Sequence, residues 1–209
     1  MTLRSICLSC ALVLIGGSGV ACGSDDSGSK PYSSGLPANK IIDTLTDADI
    51  TILCLSLHDH ISNDRALRSA TCHFLGFVAA WGASLAGTAT DADLQKACTD
   101  SEAMCKSTPP TSEQSTCTRP PSGCAGTVGE FEACVTDSVA AASKQLAAYP
   151  ACSSVTASTV SKLFSSGGSG AMPMTAAPAS CTALERKCPG IQNSTGLTSG
   201  NPPSSGSGQ

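Results

Sequence analysis

The sequence predicts an all-α fold: a small disulfide-stapled helical domain of about six helices, patterned as two degenerate repeats, between a disordered N-terminal tether and a disordered C-terminal tail. Three observations predict it. Apolar residues return at helical spacing behind Thr/Asp start signals. Thirteen cysteines occur in 209 residues. Aromatic residues make only 3% of the chain, and alanine supplies much of the 41% hydrophobic content. Alanine buries little area at ~25 cal/mol per Å2, so crosslinks must supply what a thin core lacks.

The first element is an export signal, residues 1–21. Arg4 is the only charged residue before Asp25, an apolar run extends from Ile6 to Ile15, and small residues lead through Gly19 and Ala21 to Cys22. The run is about half the ~20 residues a spanning helix needs. Gly19-Val20-Ala21-Cys22 resembles the lipobox of bacterial lipoproteins, although Gly19 stands where Leu is common. The resemblance implies acylation of Cys22, a membrane partner reached only through that lipid, and a place in the cell envelope, by analogy on the outer membrane. Plain secretion after Ala21 is the alternative. Parity favours lipid: once Cys7, Cys10 and Cys22 are set aside, ten cysteines remain, Cys54, Cys72, Cys98, Cys105, Cys117, Cys124, Cys134, Cys152, Cys181 and Cys188. An even set closes a disulfide framework in an oxidising compartment.

Residues 22–38 are Gly, Ser, Asp and Pro-rich and read as a flexible tether; residues 39–190 form the domain, and 191–209 a tail. In the domain, Thr46-Asp47-Ala48-Asp49 resembles a capping box, followed at helical spacing by Ile50, Leu53, Cys54, Leu57 and Ile61. A second helix begins after Asn63-Asp64 and runs to about Ala86, with Leu67, Ala70, Phe74, Phe77, Trp81 and Leu85 on one stripe at the expected centre of the core. Thr90-Asp91-Ala92-Asp93 opens a third helix that stops before Pro109-Pro110. Thr108 to Gly123 reads as a loop. Thr127 and Glu130 cap a fourth helix, striped by Phe131, Cys134, Val135, Ser138, Ala142, Leu146 and Tyr149 and ended by Pro150. Short helices are expected at about Val155–Phe164 and Ser180–Cys188, separated by a Gly/Ser/Pro loop.

The cysteine intervals 18, 26 and 7 from Cys54 to Cys105 recur as 18, 29 and 7 from Cys134 to Cys188. This suggests repeats over residues 46–108 and 126–190, with chance spacing as the alternative. Seven residues of helix separate Cα atoms by ~10.5 Å, beyond the ~4.4 to 6.8 Å of a disulfide. Cys98 cannot therefore bond Cys105, nor Cys181 bond Cys188, and each must staple its helix to another element. Folding the second and third helices back about Thr88 places Cys72 beside Cys105. Cys117 and Cys124, on a Pro-rich loop, are candidates for a local bridge.

The formal charge of −4 with no basic cluster argues against nucleic acid and against anionic lipid surfaces as partners. His58, His60 and His73 are candidate ligands for a metal-dependent enzyme, but His58 and His60 lie about 200° apart on a helix, so solvated surface histidines are the favoured reading and no metal or cofactor is expected. Asp64 could join His60 only if the helix continues past Ser62-Asn63. Short Cys-x-x-Cys zinc pairs and the common catalytic motifs are absent. The lipobox-like end followed by Gly-Ser-Asp-Asp, the segment Cys124 to Cys134 and the segment Cys181 to Cys188 resemble a group of cysteine-rich lipoproteins of myxobacterial type, which carries no activity to transfer. The expectation is thus a non-catalytic structural or partner-binding module. The competing readings are a disulfide-rich inhibitor or toxin-like ligand acting through the 111–125 loop, and the histidine-based enzyme.

Overall fold

The structure, a computed structural model, describes residues 30–109, 119–120, 122–165 and 176–191. Six helices follow in order: α1 (Asp47–Asn63), α2 (Arg65–Ser84), α3 (Asp91–Ser107), α4 (Val128–Ala147), α5 (Ala157–Ser165) and α6 (Ala179–Lys187), with 3-10 turns at Ile42–Thr44 and Cys152–Ser154. No strand occurs among the described residues; Ile41 and Thr127 form an isolated antiparallel bridge. None of the described helices is long and apolar enough to cross a membrane.

Local chemistry sets the helix starts. The Asp49 N–H donates to Thr46 Oγ1 while Asp49 Oδ2 accepts the Thr46 N–H at 2.8 Å. The same reciprocal pair joins Thr90 with Asp93 and Thr127 with Glu130. Each box satisfies two backbone donors that a helix start otherwise leaves unpaired. α1 continues through Ser62 and Asn63, but Asp64 leaves helical geometry at ψ 111° and caps α2 by accepting the Leu67 N–H at 2.7 Å. Its carboxylate oxygen Oδ1 thus serves the start of α2.

The interior is divided into two cores. One gathers Ile50 and Leu53 of α1, Val128, Phe131, Val135 and Val139 of α4, Leu184 of α6, and Tyr32, Ile42, Leu45 and Ile191 from the flanking chain. The other holds Phe77 and Ala80 of α2, Leu94 and Cys98 of α3, Val155, and Val160 of α5. α2 joins them: Leu67 near its start packs on the first core, Phe77 lies within the second, and Leu85 past its end is 69% exposed. Along α4 the inward position is Val139 rather than Ser138. Helices α2 and α3 cross closely at Gly76, where a Cβ would stand 2.7 Å from the Cys98 carbonyl oxygen.

All nine cysteines of the described residues are in disulfides. Cys72 bonds Cys105, Cα atoms 5.3 Å apart, across the α2–α3 hairpin. Cys98 bonds Cys152, Cys134 bonds Cys181, and Cys124 bonds Cys188; the bond made by Cys54 lies with a partner beyond these eight. Cys98, Cys105, Cys181 and Cys188 each staple a helix or its end to a different element. Cys124 does not bond Cys117: Gly126 lets the chain pass so near α6 that a Cβ there would meet Leu184 at 2.7 Å and Cys188 Sγ at 2.8 Å, bringing Cys124 to Cys188 instead.

The connectivity does not follow the duplicated spacing. Cys72–Cys105 has no counterpart between Cys152 and Cys188, and Cys98–Cys152 runs from one supposed copy to the other. Both cores also mix helices from the two halves.

The domain begins earlier than expected, because residues 32–38 are docked rather than free. Tyr32 is 4% exposed; its hydroxyl donates to the Leu53 carbonyl at 2.9 Å and lies 2.8 Å from Ser56 Oγ. Ser34 donates from its N–H and its hydroxyl to Glu132 Oε1. The Ala38 and Lys40 carbonyls accept from Gly129 and Val128 at the start of α4. At the other end Ile191 is 2% exposed and belongs to the first core, one residue into the assigned tail. The signal, Cys22, Cys117 and most of the 111–125 loop lie outside the described residues.

Candidate functional site

Between the end of α1, the first half of α2 and the second half of α4 runs a groove of about 1190 Å3. Its origin lies in side-chain size. α2 presents Ala66, Ser69 and Ala70, and α4 presents Ala140, Ser143 and Ala147, residues three or four apart and so on one helical face. Two faces of small side chains leave space where larger ones would close it.

Charged groups line this space. Lys30 arrives from the chain before the domain, Arg65 from the first turn of α2 and Lys144 from the last turns of α4. None of the three forms an ion pair among the described residues, whereas the two carboxylates on the lining are engaged. Asp64 caps α2. Glu102 receives Lys106 Nζ at 2.5 Å and faces His73 Nδ1 at 3.5 Å; the Lys106 ammonium, with His73 adding to it, holds the Glu102 carboxyl below the usual range against the opposing effect of burial.

Two of the three histidines reach this groove. His60 packs against the Tyr32 ring, centroids 5.2 Å apart, and its Nε2 is buried without a hydrogen-bond partner among the described residues, as is Ser143 Oγ. An unsatisfied buried polar atom costs on the order of 1–3 kcal/mol. His73 Nε2 stands 3.0 Å from the Tyr149 carbonyl oxygen; a carbonyl only accepts, so Nε2 is a donor in this contact, as Nδ1 must be in its contact with the Glu102 carboxylate. Neither ring is a solvated surface group: both are partly buried. His58 is not on the groove lining, so the three histidines do not converge.

The one set of potential metal ligands among the described residues is His73, Glu102 and Cys152. Cys152 Sγ lies 3.2 Å from Glu102 Oε2, but it is bonded to Cys98, so it carries no hydrogen and offers no thiolate. Two groups remain, one of them already on Lys106. That falls short of the three protein ligands of a catalytic zinc, and the same oxidation removes Cys152 as a nucleophile for the His73–Glu102 pair.

No protein-family model matches the chain, and no curated protein or solved structure matches it. The groove was not read from the sequence, since its three cations lie far apart in the chain and form no basic run. The signal that could have found it is the small-residue face Ala140, Ser143, Ala147 beside Lys144.

Proposed function

We propose that the protein is exported, acylated at Cys22 and held on a bacterial envelope membrane as a non-catalytic binding or structural module, of the kind its myxobacterial lipoprotein resemblance suggests. The observation that carries this reading is that every described cysteine is oxidised, a state that persists in exported proteins and is rare in cytosolic ones. Four bridges use eight of them, Cys54 needs one more, and Cys117 completes the even set. Cys22 is then left for lipid. The groove supports binding over catalysis, because among the described residues its histidines meet no available thiol and no third metal ligand.

Mass spectrometry of the mature N-terminus and of non-reduced peptides tests the proposal. The expected result is a diacylglyceryl Cys22, a Cys54–Cys117 peptide and no alkylatable thiol in the native protein. An unmodified N-terminus overturns the anchoring, and titratable thiols in the native chain overturn the export. Zinc bound stoichiometrically through His60 and His73 favours the enzyme reading instead, and protease inhibition lost on cleavage within 111–125 favours the inhibitor.

A further inference from the structure

We infer that the α1–α2–α4 groove is a binding site for a compact oxyanion, a phosphate or carboxylate group, gripped by Arg65 and Lys144 with Lys30 at its edge. The inference deepens the binding-module reading and rests on it, but not on the lipid anchor. Three features of the groove point to a negative ligand. First, three cations line one groove of a chain whose formal charge is −4, drawn from residues 30, 65 and 144, and none forms an ion pair with a carboxylate among the described residues. Second, the acids on the same lining are committed elsewhere, Asp64 to the Leu67 N–H and Glu102 to Lys106 and His73.

Third, the groove wall holds polar capacity that the protein itself leaves unused. His60 Nε2 and Ser143 Oγ are buried and unpartnered, and both residues line the groove. A small side-chain rotation would offer the Ser143 hydroxyl as a donor to an oxyanion, and His60 Nε2 as a donor in the tautomer that carries its proton there. Arg65 also belongs to the first turn of α2, where the helix dipole favours negative charge. The alanines of the two facing helices give the rest of the ligand an apolar bed.

The oxyanion has two sources, a free solute or a lipid headgroup, and the chemistry of the grip is common to both. The test uses the mature chain with its disulfides intact, titrated calorimetrically with inorganic phosphate and with citrate at low salt. The expected result is saturable binding of at least one of them that weakens as salt is raised and the screening length falls to about 8 Å. Arg65→Gln and Lys144→Gln should each weaken it about tenfold, equivalent to about 1.4 kcal/mol, while Lys96→Gln, whose side chain pairs with Asp100, leaves it unchanged.

Vesicles of phosphatidylglycerol in phosphatidylcholine supply the second arm. Retention that inorganic phosphate competes away, and that Arg65→Gln lowers, supports the site with a headgroup as its ligand. The inference is overturned if neither phosphate nor citrate binds, if Lys96→Gln weakens binding as much as Arg65→Gln, or if vesicle retention ignores both phosphate and Arg65. Unchanged circular dichroism of the variants separates these failures from loss of fold. Loss of the groove's binding, with an even disulfide set and acylated Cys22 still found, refutes the oxyanion site and leaves the exported module standing.

Discussion

Removing the Cys72–Cys105 bridge as Cys72→Ala with Cys105→Ala tests how much of the fold rests on covalent struts. Alanine is the right replacement because Cys72 is fully buried, and a serine there would bury an unpaired hydroxyl. The bridge closes a sequence separation of 33 residues, for which loop-closure entropy gives about 4 kcal/mol of stabilisation at 25 °C. That is a large part of the ~5–15 kcal/mol by which a domain is usually stable. At ~2–4 °C per kcal/mol for a domain of this size, the melting temperature should fall by roughly 8–16 °C. Urea unfolding followed at 222 nm checks it, with the m-value rising because the uncrosslinked denatured chain exposes more surface. The Cys98→Ala with Cys152→Ala variant should lose at least as much, since its separation of 54 residues is longer and its sulfurs lie in the second core. A loss below about 1 kcal/mol for both variants, or a parent protein whose melting is unchanged by a reductant, would refute the claim that the thin core depends on its crosslinks.

Gly76→Ala places a methyl group 2.7 Å from the Cys98 carbonyl oxygen and should cost about 1–3 kcal/mol by forcing α2 from α3; equal midpoints in urea would show that the two helices part freely. Burial pushes the Tyr32 phenol up to about 12, so its neutral form is favoured in the fold. The stability this contributes is complete below the ordinary value of 10.0 and is lost as pH rises through about 12, which absorbance of the phenolate during alkaline titration, compared with Tyr32→Phe, will register. The Lys40 ammonium, then Thr46, hold Asp49 down at about 2. Its stabilising effect is present above the ordinary 3.8 and disappears as pH falls toward 2; carboxyl carbon shifts of Asp49 that titrate at the ordinary value would contradict the capping box.

Helix positions were legible because they rest on short-range chemistry. Thr46, Thr90 and Thr127 each find an acid three residues on, and Pro109 and Pro150 end helices wherever the rest of the chain goes. The Cys72–Cys105 bridge was legible for a related reason, since a hairpin fixes its own register. Cys124–Cys188 was not: it depends on a close pass at Gly126 between segments 62 residues apart. Tyr32 was hidden because a lone aromatic among Ser, Gly and Pro carries no periodicity, and only its burial across α1 and α4 reveals that Tyr32–Ala38 belongs to the domain. The matched cysteine intervals misled because spacing records sequence, while pairing is decided by which helices pack. For the groove, Lys30, Arg65 and Lys144 are unremarkable singly and become a candidate site only when α2, α4 and the chain before the domain bring them onto one groove lining.

Docking of Tyr32 across α1 shortens the leash. If acylation fixes Cys22 in a bilayer, nine residues separate that point from Tyr32, and a fully stretched chain of that length reaches only about 32 Å. An acylated chain would thereby hold the domain close above the lipid surface, free to swivel but unable to stray. Lys30 lies on that leash and on the groove wall alike, so in an acylated chain the groove would open close to the point where the leash leaves the domain.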